Sequence, residues 1–332
     1  MTKRLLLLPT LLFVLLICAC DPLAPVIAPT AQIIIVTPED TLTPVATTTP
    51  LPTITPLPSP TPQDTATPTP PPCLQDGGQI VAFDDFRSPT AGENLKYRVY
   101  IPPCYQQSDP QRRYPYVILL HGLQANEKEW GDLGIQQALD QGIKLGVLAP
   151  MIVVMPNMGN IGQDNSFPPK ASYETVVLDE LVPAVERDFC TWSNRDHRAI
   201  GGISRGGFWA YEIALRHPDT FGIVGGHSAA FDPSNAPAAF NPLELALNAP
   251  FLTDANLRMY LDNGADDASG TNLELFSNRL SSRGIAHTYI ISPVGGHDAA
   301  YWTAHLQDYL TFYGRDWPKT LDALPSCLQP SP

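Results

Sequence analysis

The sequence has 332 residues, 44% of them hydrophobic, and a formal net charge of −13 at neutral pH. A chain of this length can bury a sizeable core. An acidic surface attracts neither nucleic acid nor an anionic bilayer, so we exclude both as the main partner, whereas a neutral substrate stays open.

The first twenty residues have the pattern of an export signal. Lys3 and Arg4 precede an apolar run over 5–17 that is too short for an ordinary membrane span. The run ends in Ile17-Cys18-Ala19-Cys20, which resembles a bacterial lipobox, and this implies that Cys20 is lipidated. We predict a signal peptide over 1–20 and a lipid anchor at the extracellular face of a bacterial cell membrane, with plain secretion or an uncleaved anchor as the alternatives.

Residues 21–72 are rich in proline and threonine and carry little charge, with one compact apolar run over 33–36. Such a composition favours extended backbone and cannot bury enough surface to offset the entropy of ordering. We therefore predict a disordered stalk over 21–72, a folded domain over 73–327 and a tail over 328–332.

Within the domain, short apolar runs alternate with amphipathic stretches, which predicts an α/β fold with a mostly parallel central sheet flanked by helices. Strands are expected over 97–101, 116–120, 147–155, 199–203, 223–226, 257–261 and 287–291. Helices are expected over 128–143, 173–189, 208–216 and 300–313, and Pro183 should bend the second. Residues 228–256 are expected to form the cap or cleft wall.

The stretch Gly202-Ile203-Ser204-Arg205-Gly206 reads as a sharp turn between a strand and a helix, the pattern of a nucleophile elbow. Such a turn strains the serine backbone and requires glycine two positions before and after it, because strand and helix pass closely there. We predict that Ser204 is the nucleophile.

A serine hydroxyl needs an imidazole to take its proton and a carboxylate to orient that imidazole. His297 follows the last predicted strand on a glycine-rich loop and is the expected base, with His227 as an alternative. Asp262, Asp266 and Asp267 follow the preceding strand, and their spacing alone does not select the acid.

Several motifs in this order resemble the putative-esterase family of α/β-hydrolases, which includes feruloyl esterases, S-formylglutathione hydrolases and mycolyltransferases. Bacterial feruloyl esterases look most similar, and the likeness covers about 80–315. The motifs are Ile118 to Leu123, the segments 127–130 and 180–183, Arg198 to Gly207, Gly264 to Asp267 and Gly295-Gly296-His297. The resemblance implies an α/β-hydrolase fold. It also favours Asp267, three residues after Gly264, as the acid, with Asp266 as the alternative and Asp262 less favoured.

The resemblance further implies an oxyanion hole built from backbone N–H groups. One donor would come from Gly122 or Leu123 and the other from Arg205, while His121 would support the loop. Arg205 stands where the family usually has methionine, and a cation near the site's mouth would alter substrate preference.

In this fold the two disulfides expected of an exported chain would pair Cys104 with Cys190 and Cys73 with Cys327, since the first two should lie at one sheet edge and the last two bracket the domain. Their spacing does not match a zinc site, and no metal or organic cofactor is implied.

Together these features predict a serine esterase that acts through an acyl-enzyme. The resemblance suggests feruloyl, acetyl or other short acyl esters of carbohydrates, as small molecules or polysaccharides, as the substrates. Acyl transfer to a sugar hydroxyl by the same residues, or a non-catalytic surface binding module, are the alternatives.

Overall fold

The computed structural model of the protein describes residues 31–36, 71–106 and 111–329. Strands within these ranges join in one nine-stranded sheet. They are β1 Gln32–Val36, β2 Gln79–Ser88, β3 Glu93–Ile101, β4 Tyr116–Leu120, β5 Ile152–Pro156, β6 Arg198–Ile203, β7 Ile223–His227, β8 Arg258–Gly264 and β9 His287–Ser292. Their spatial order is β1-β9-β8-β7-β6-β4-β5-β3-β2.

The centre of this sheet is parallel. Strands β5, β4, β6, β7, β8 and β9 pair in parallel in that spatial order, and β1, β2 and β3 add antiparallel pairs at the two edges. The central strands β4, β5, β6 and β7 are buried along their whole length, as expected of parallel strands covered on both faces. This confirms the predicted mostly parallel sheet.

Helices cover both faces. They are α1 Glu129–Asp132, α2 Ile135–Lys144, α3 Gly159–Gln163, α4 Tyr173–Thr175, α5 Val182–Asp188, α6 Arg205–Arg216, α7 Pro242–Asn248, α8 Gly270–Ser282 and α9 Ala299–Gly314. Side chains of α2 and α9 form one apolar core with one face of the sheet, and those of α5, α6 and α8 form another with the opposite face. The α/β prediction is therefore confirmed.

Two predicted helices are interrupted. The helix expected over 128–143 is divided into α1 and α2 at Gly134, whose φ of 92° lies in the left-handed region that glycine adopts freely. The helix expected over 173–189 contains a π-helical segment, Val176–Leu181, which ends two residues before Pro183. Proline has no amide proton to donate to the preceding turn, and a wider turn accommodates it.

Strand β1 lies inside the segment that composition predicted as stalk. Gln32 to Val36 pair antiparallel with Ile291 to His287 of β9 and form an edge of the sheet. The prediction of a disordered stalk is therefore wrong for these five residues. A short apolar run that could not fold alone gains backbone hydrogen bonds from an existing strand. Along the chain, Cys20 is separated from β1 by residues 21–31 only.

The cysteine pairing also differs from the expectation. The disulfides join Cys73 to Cys104 and Cys190 to Cys327, with Cα atoms 5.2 Å and 6.1 Å apart. The antiparallel pairing of β2 with β3 brings the residues before β2 to those after β3. For the second disulfide, Ser326 pairs with Arg112, and Tyr114 on the same segment pairs with Thr191. These two pairings bring the neighbouring residues Cys327 and Cys190 together.

No helix in the described ranges has both the length and the apolar character needed to span a membrane. The predicted signal peptide and Cys20 lie outside the described residues.

Candidate active site

Ser204 lies in the sharp turn between β6 and α6, at the carboxyl end of a central strand. Its φ of 53° and ψ of −115° are strained for a residue with a side chain. A Cβ at Gly202 would collide with the backbone of Gly206, and one at Gly206 would collide with the carbonyl of Leu120. The strained turn and both glycine requirements predicted for the elbow are therefore present.

His297 and Asp267 meet on the loops that follow β9 and β8. Nδ1 of His297 is 3.1 Å from each carboxylate oxygen of Asp267. The Asp267 side chain is fully buried, whereas the His297 ring is 38% exposed. A proton on Nδ1 is donated to the carboxylate, which leaves Nε2 as the nitrogen that can accept a proton.

Several donors keep Asp267 ionised. Burial by itself would raise the pKa of this carboxyl, but hydrogen bonds from His297, Ser228 and Ser269 outweigh burial and lower the pKa to about 2. The amide N–H and the hydroxyl of Ser269 both donate to Oδ1 at 2.8 Å. Asp267 is therefore a carboxylate at any ordinary assay pH.

Ser228 connects this pair to the elbow. Its hydroxyl donates to Asp267 and accepts a hydrogen bond from the indole N–H of Trp302 at 3.0 Å. Trp302 in turn packs edge-on against the ring of His297. Two residues further along the chain, the N–H of Ala230 donates to the carbonyl of Ser204.

The Ser204 hydroxyl has no hydrogen-bond partner among the described residues. Contacts of this kind are often long without substrate and tighten when it binds. The structure therefore joins Asp267 to His297 directly and places Ser204 at the end of β6, which β7 separates from β8 in the sheet.

The N–H groups of Leu123 and Arg205 have no hydrogen-bond partner within the described ranges. The N–H of Gly122, in contrast, donates to Oε2 of Glu129 at 2.7 Å. Gly122 and Leu123 were the alternatives for the first oxyanion donor, and because the amide proton of Gly122 is already in use, this geometry favours Leu123. A Cβ at Gly122 would be 3.7 Å from the Cβ of Ser204, which places the loop directly beside the elbow.

Glu129 is close to the charged groups of this site. Burial raises the pKa of its carboxyl, while the Gly122 N–H and a positive charge on His297 act in the opposite direction. Sequence reasoning gave no role to Glu129 or Ser228. Glu129 lies within the 127–130 motif, which was a signal for it, whereas nothing in the sequence distinguishes Ser228.

The side chain of Arg205 does not face the mouth of the site as expected. It is buried, packs against the rings of Phe208 and Trp209, and donates to the carbonyls of Gly162 and Asp164 at 3.1 and 2.6 Å. Burial lowers the pKa of its guanidinium to about 10, so the group stays charged at neutral pH. Arg205 therefore ties the end of α3 to the elbow.

The other histidine considered as a base is fully buried. Nδ1 of His227 is 2.8 Å from Asp262 and Nε2 is 2.9 Å from the hydroxyl of Tyr313. Asp262 also accepts hydrogen bonds from Tyr301 and Tyr309. Both ring nitrogens of His227 and the carboxylate of Asp262 are occupied, so neither alternative can serve at the elbow.

His121 and Asp266 also have clear positions. His121 is buried, contacts the carbonyl of Gly122 through Nδ1, and accepts the N–H of Met158 at Nε2. It therefore supports the loop. The side chain of Asp266 is exposed, and that of Asp267 next to it holds the imidazole. Among the described residues no group of three or more His, Cys, Asp or Glu side chains is arranged to hold a metal ion.

The fold and this geometry agree with comparisons to known proteins. A family model described as "Putative esterase" matches residues 88–313, more than half of the chain. The chain belongs to this esterase family. The solved structure of a ferulic acid esterase is similar to this chain, with a TM-score of 0.64 and 26% sequence identity. The match covers 72% of this chain and 98% of the ferulic acid esterase.

Two further comparisons bear on the esterase chain. The endo-1,4-beta-xylanase/feruloyl esterase of Xylanibacter ruminicola is 34% identical over 152 residues, which cover 42% of this chain and 20% of the relative. The S-formylglutathione hydrolase structure from Staphylococcus aureus has a TM-score of 0.60 at 21% identity, covers 71% of this chain and 98% of its own, and supports the α/β-hydrolase fold. The chain spans 20% to 31% of the length of the first curated relatives that it matches.

Proposed function

We propose that this chain is a serine esterase that hydrolyses feruloyl, acetyl or other short acyl esters of carbohydrates through an acyl-enzyme. The observation that carries the proposal is the hydrogen bond between Nδ1 of His297 and the buried carboxylate of Asp267, on loops beside the strained Ser204 elbow. The substrate class draws on the ferulic acid esterase and the xylanase/feruloyl esterase to which the chain is similar.

In the first half of the reaction, Oγ of Ser204 attacks the ester carbonyl carbon while Nε2 of His297 takes the hydroxyl proton. Asp267 stabilises the resulting imidazolium and fixes its orientation. The negative charge that develops on the carbonyl oxygen is received by the N–H groups of Leu123 and Arg205, and Arg205 begins α6, where the helix dipole favours negative charge.

The tetrahedral intermediate then collapses. The bond from carbon to the alcohol oxygen breaks, and His297 gives its proton to that oxygen, so a neutral alcohol leaves and Ser204 keeps the acyl group. Water attacks the acyl carbon while His297 takes its proton, and the same N–H groups stabilise the negative charge. The bond from carbon to Oγ then breaks, His297 gives the proton to Oγ, and the acid leaves a free Ser204 hydroxyl.

The proposal is tested with the purified full chain on p-nitrophenyl acetate and methyl ferulate. Because the three residues act as one unit, Ser204→Ala and His297→Ala should each lower kcat by about 10⁴ to 10⁶, and the double variant should be little worse than either. The proposal would be overturned if the losses in kcat of the two single variants multiplied in the double variant. It would also be overturned if the folded wild-type chain hydrolysed neither ester.

We also propose that the chain is exported and anchored through a lipidated Cys20, on the strength of the Ile17 to Cys20 pattern after a short apolar run. Two acyl chains on one cysteine would give stable membrane attachment. Cells grown with radiolabelled fatty acid should label the wild type and not Cys20→Ser, and equal labelling of both would contradict this anchor.

A further inference from the structure

The segment that leads from β4 to the Leu123 amide is held by two adjacent residues of α1. The indole N–H of Trp130 donates to the carbonyl of Leu120 at 3.2 Å, and Trp130 itself is fully buried. Glu129, the first residue of α1, accepts the N–H of Gly122 on Oε2 at 2.7 Å. The packing of Trp130 therefore brings the carboxylate of Glu129 to the backbone of this segment.

Two peptide planes meet at Gly122, and a different side chain holds each of them. Glu129 accepts the N–H of the first plane, and Nδ1 of His121 is 2.7 Å from the carbonyl of the second. Because Nε2 of His121 accepts the N–H of Met158, the ring proton is on Nδ1 and is donated to that carbonyl. In a planar trans peptide the C=O and N–H groups point in opposite directions, so the held carbonyl fixes the direction of the Leu123 N–H.

The carboxylate of Glu129 also lies beside the elbow. A Cβ at Gly122 would be 3.6 Å from Oε1 of Glu129 and 3.7 Å from the Cβ of Ser204. Among the residues that the structure describes, Oε1 has no hydrogen-bond partner, and the side chain is half-buried. The bond to the Gly122 N–H and the negative charge are therefore the two means by which Glu129 acts on its surroundings.

The charge of Glu129 is coupled to the base. Burial raises the pKa of the Glu129 carboxyl, and so does the charge of Asp132, whereas the Gly122 N–H and a positive charge on His297 lower it. Such an interaction is mutual, so an ionised Glu129 favours the imidazolium form of His297. The imidazolium that forms in both halves of the reaction is then stabilised by two carboxylates, Asp267 at Nδ1 and Glu129 through its charge.

We propose that Glu129 is a positioning residue of the esterase, which holds the loop so that the Leu123 N–H points at the reacting carbonyl oxygen and stabilises the protonated His297 by its negative charge. The inference rests on the proposed function and adds a second carboxylate to the site. Glu129 acts on the reacting atoms through the Gly122 backbone and through the imidazolium.

The test uses the purified full chain and p-nitrophenyl acetate, with kcat and KM measured for each variant. Glu129→Ala removes both the acceptor and the charge, and it should lower kcat by about 10² to 10³, the effect of losing one oxyanion donor. KM should change less than about threefold, since the lost interaction belongs to the transition state. Glu129→Gln keeps an acceptor oxygen for the Gly122 N–H, so its kcat should be only about tenfold below wild type.

The pH profile of kcat/KM separates the charge from the hydrogen bond. In Glu129→Gln the acid limb, where His297 takes up a proton, should move to lower pH by about 0.5 to 1 unit, because the imidazolium has lost a neighbouring negative charge. Asp132→Asn is the matched control, because Asp132 is an exposed carboxylate of the same helix. This control should keep kcat within about twofold of wild type and leave the acid limb in place.

The outcomes separate this inference from the proposed function, and urea unfolding establishes that each variant is folded. A folded Glu129→Ala variant with kcat within about threefold of wild type, or with a loss confined to KM, overturns the positioning role and leaves the esterase standing. Equal losses of kcat in Glu129→Ala and Glu129→Gln, or an acid limb that does not move in Glu129→Gln, also overturn it. If Glu129→Ala does not fold, kcat and the acid limb of Glu129→Gln decide. A folded wild type that does not hydrolyse the ester overturns the esterase itself.

Discussion

Replacement of Asp267 by asparagine should nearly abolish activity without removing the side chain. Oδ1 of Asp267 is held by both donors of Ser269, and an asparagine would keep its single carbonyl oxygen there. Its NH₂ group then occupies the Oδ2 position, 3.1 Å from Nδ1 of His297, while the carbonyl oxygen at the Oδ1 position, also 3.1 Å from Nδ1, already accepts both Ser269 donors. An N–H donor at this place favours the imidazole with its proton on Nε2, which can no longer accept the Ser204 proton.

The expected loss is about 10⁴ in kcat, equivalent to about 5.4 kcal/mol of barrier. Steady-state hydrolysis of p-nitrophenyl acetate at pH 7 measures it, and urea unfolding establishes that the variant is folded. Asp266→Asn is the matched control, because Asp266 is the neighbouring residue, its side chain is exposed, and the substitution removes the same charge. This control should change kcat less than twofold. Activity within tenfold of wild type for Asp267→Asn, or a crippled Asp266→Asn beside it, would refute the reasoning.

Two further predictions concern the support of this site and the rim of the domain. Ser228→Ala removes a hydrogen-bond donor to the Asp267 carboxylate. Because the pKa of this carboxyl is lowered in the folded state, its ionised form stabilises the fold above pH 4, and this stabilisation is lost as the pH falls through about 2. The variant should therefore lose about 1.5–3 kcal/mol of unfolding free energy at pH 7, and urea titrations should find this difference shrinking below pH 4; a constant difference down to pH 2 would contradict the assignment. Cys73→Ser should destabilise the domain by about 3–4 kcal/mol through loss of the bond to Cys104, and non-reducing peptide maps should link those two cysteines, whereas a peptide joining Cys104 to Cys190 would contradict the structure.

The central strands were predictable because their information is local. Tyr116–Leu120 is an uninterrupted apolar run, and the structure gives the strand the same bounds. The elbow is equally local, since its two glycines are required by contacts made within a few residues of Ser204. An interior strand and a tight turn can therefore be identified without knowledge of their neighbours.

Features that depend on distant partners were not predictable. The pairing of the four cysteines follows from where β2, β3 and the chain after α9 pack, and spacing does not encode it. Strand β1 depends on β9, which is more than 250 residues away. The occupation of the Gly122 N–H depends on Glu129, and the direction of the Arg205 side chain depends on carbonyls near residue 163.

The measurement that tests the account most directly is the site of covalent labelling by a fluorophosphonate, determined by mass spectrometry on the intact chain and its peptides. We predict a single adduct on Ser204, complete loss of ester hydrolysis on labelling, and no adduct on folded Ser204→Ala. A folded wild-type chain that takes up no label, or an adduct that persists in Ser204→Ala with hydrolysis intact, would contradict Ser204 as the nucleophile.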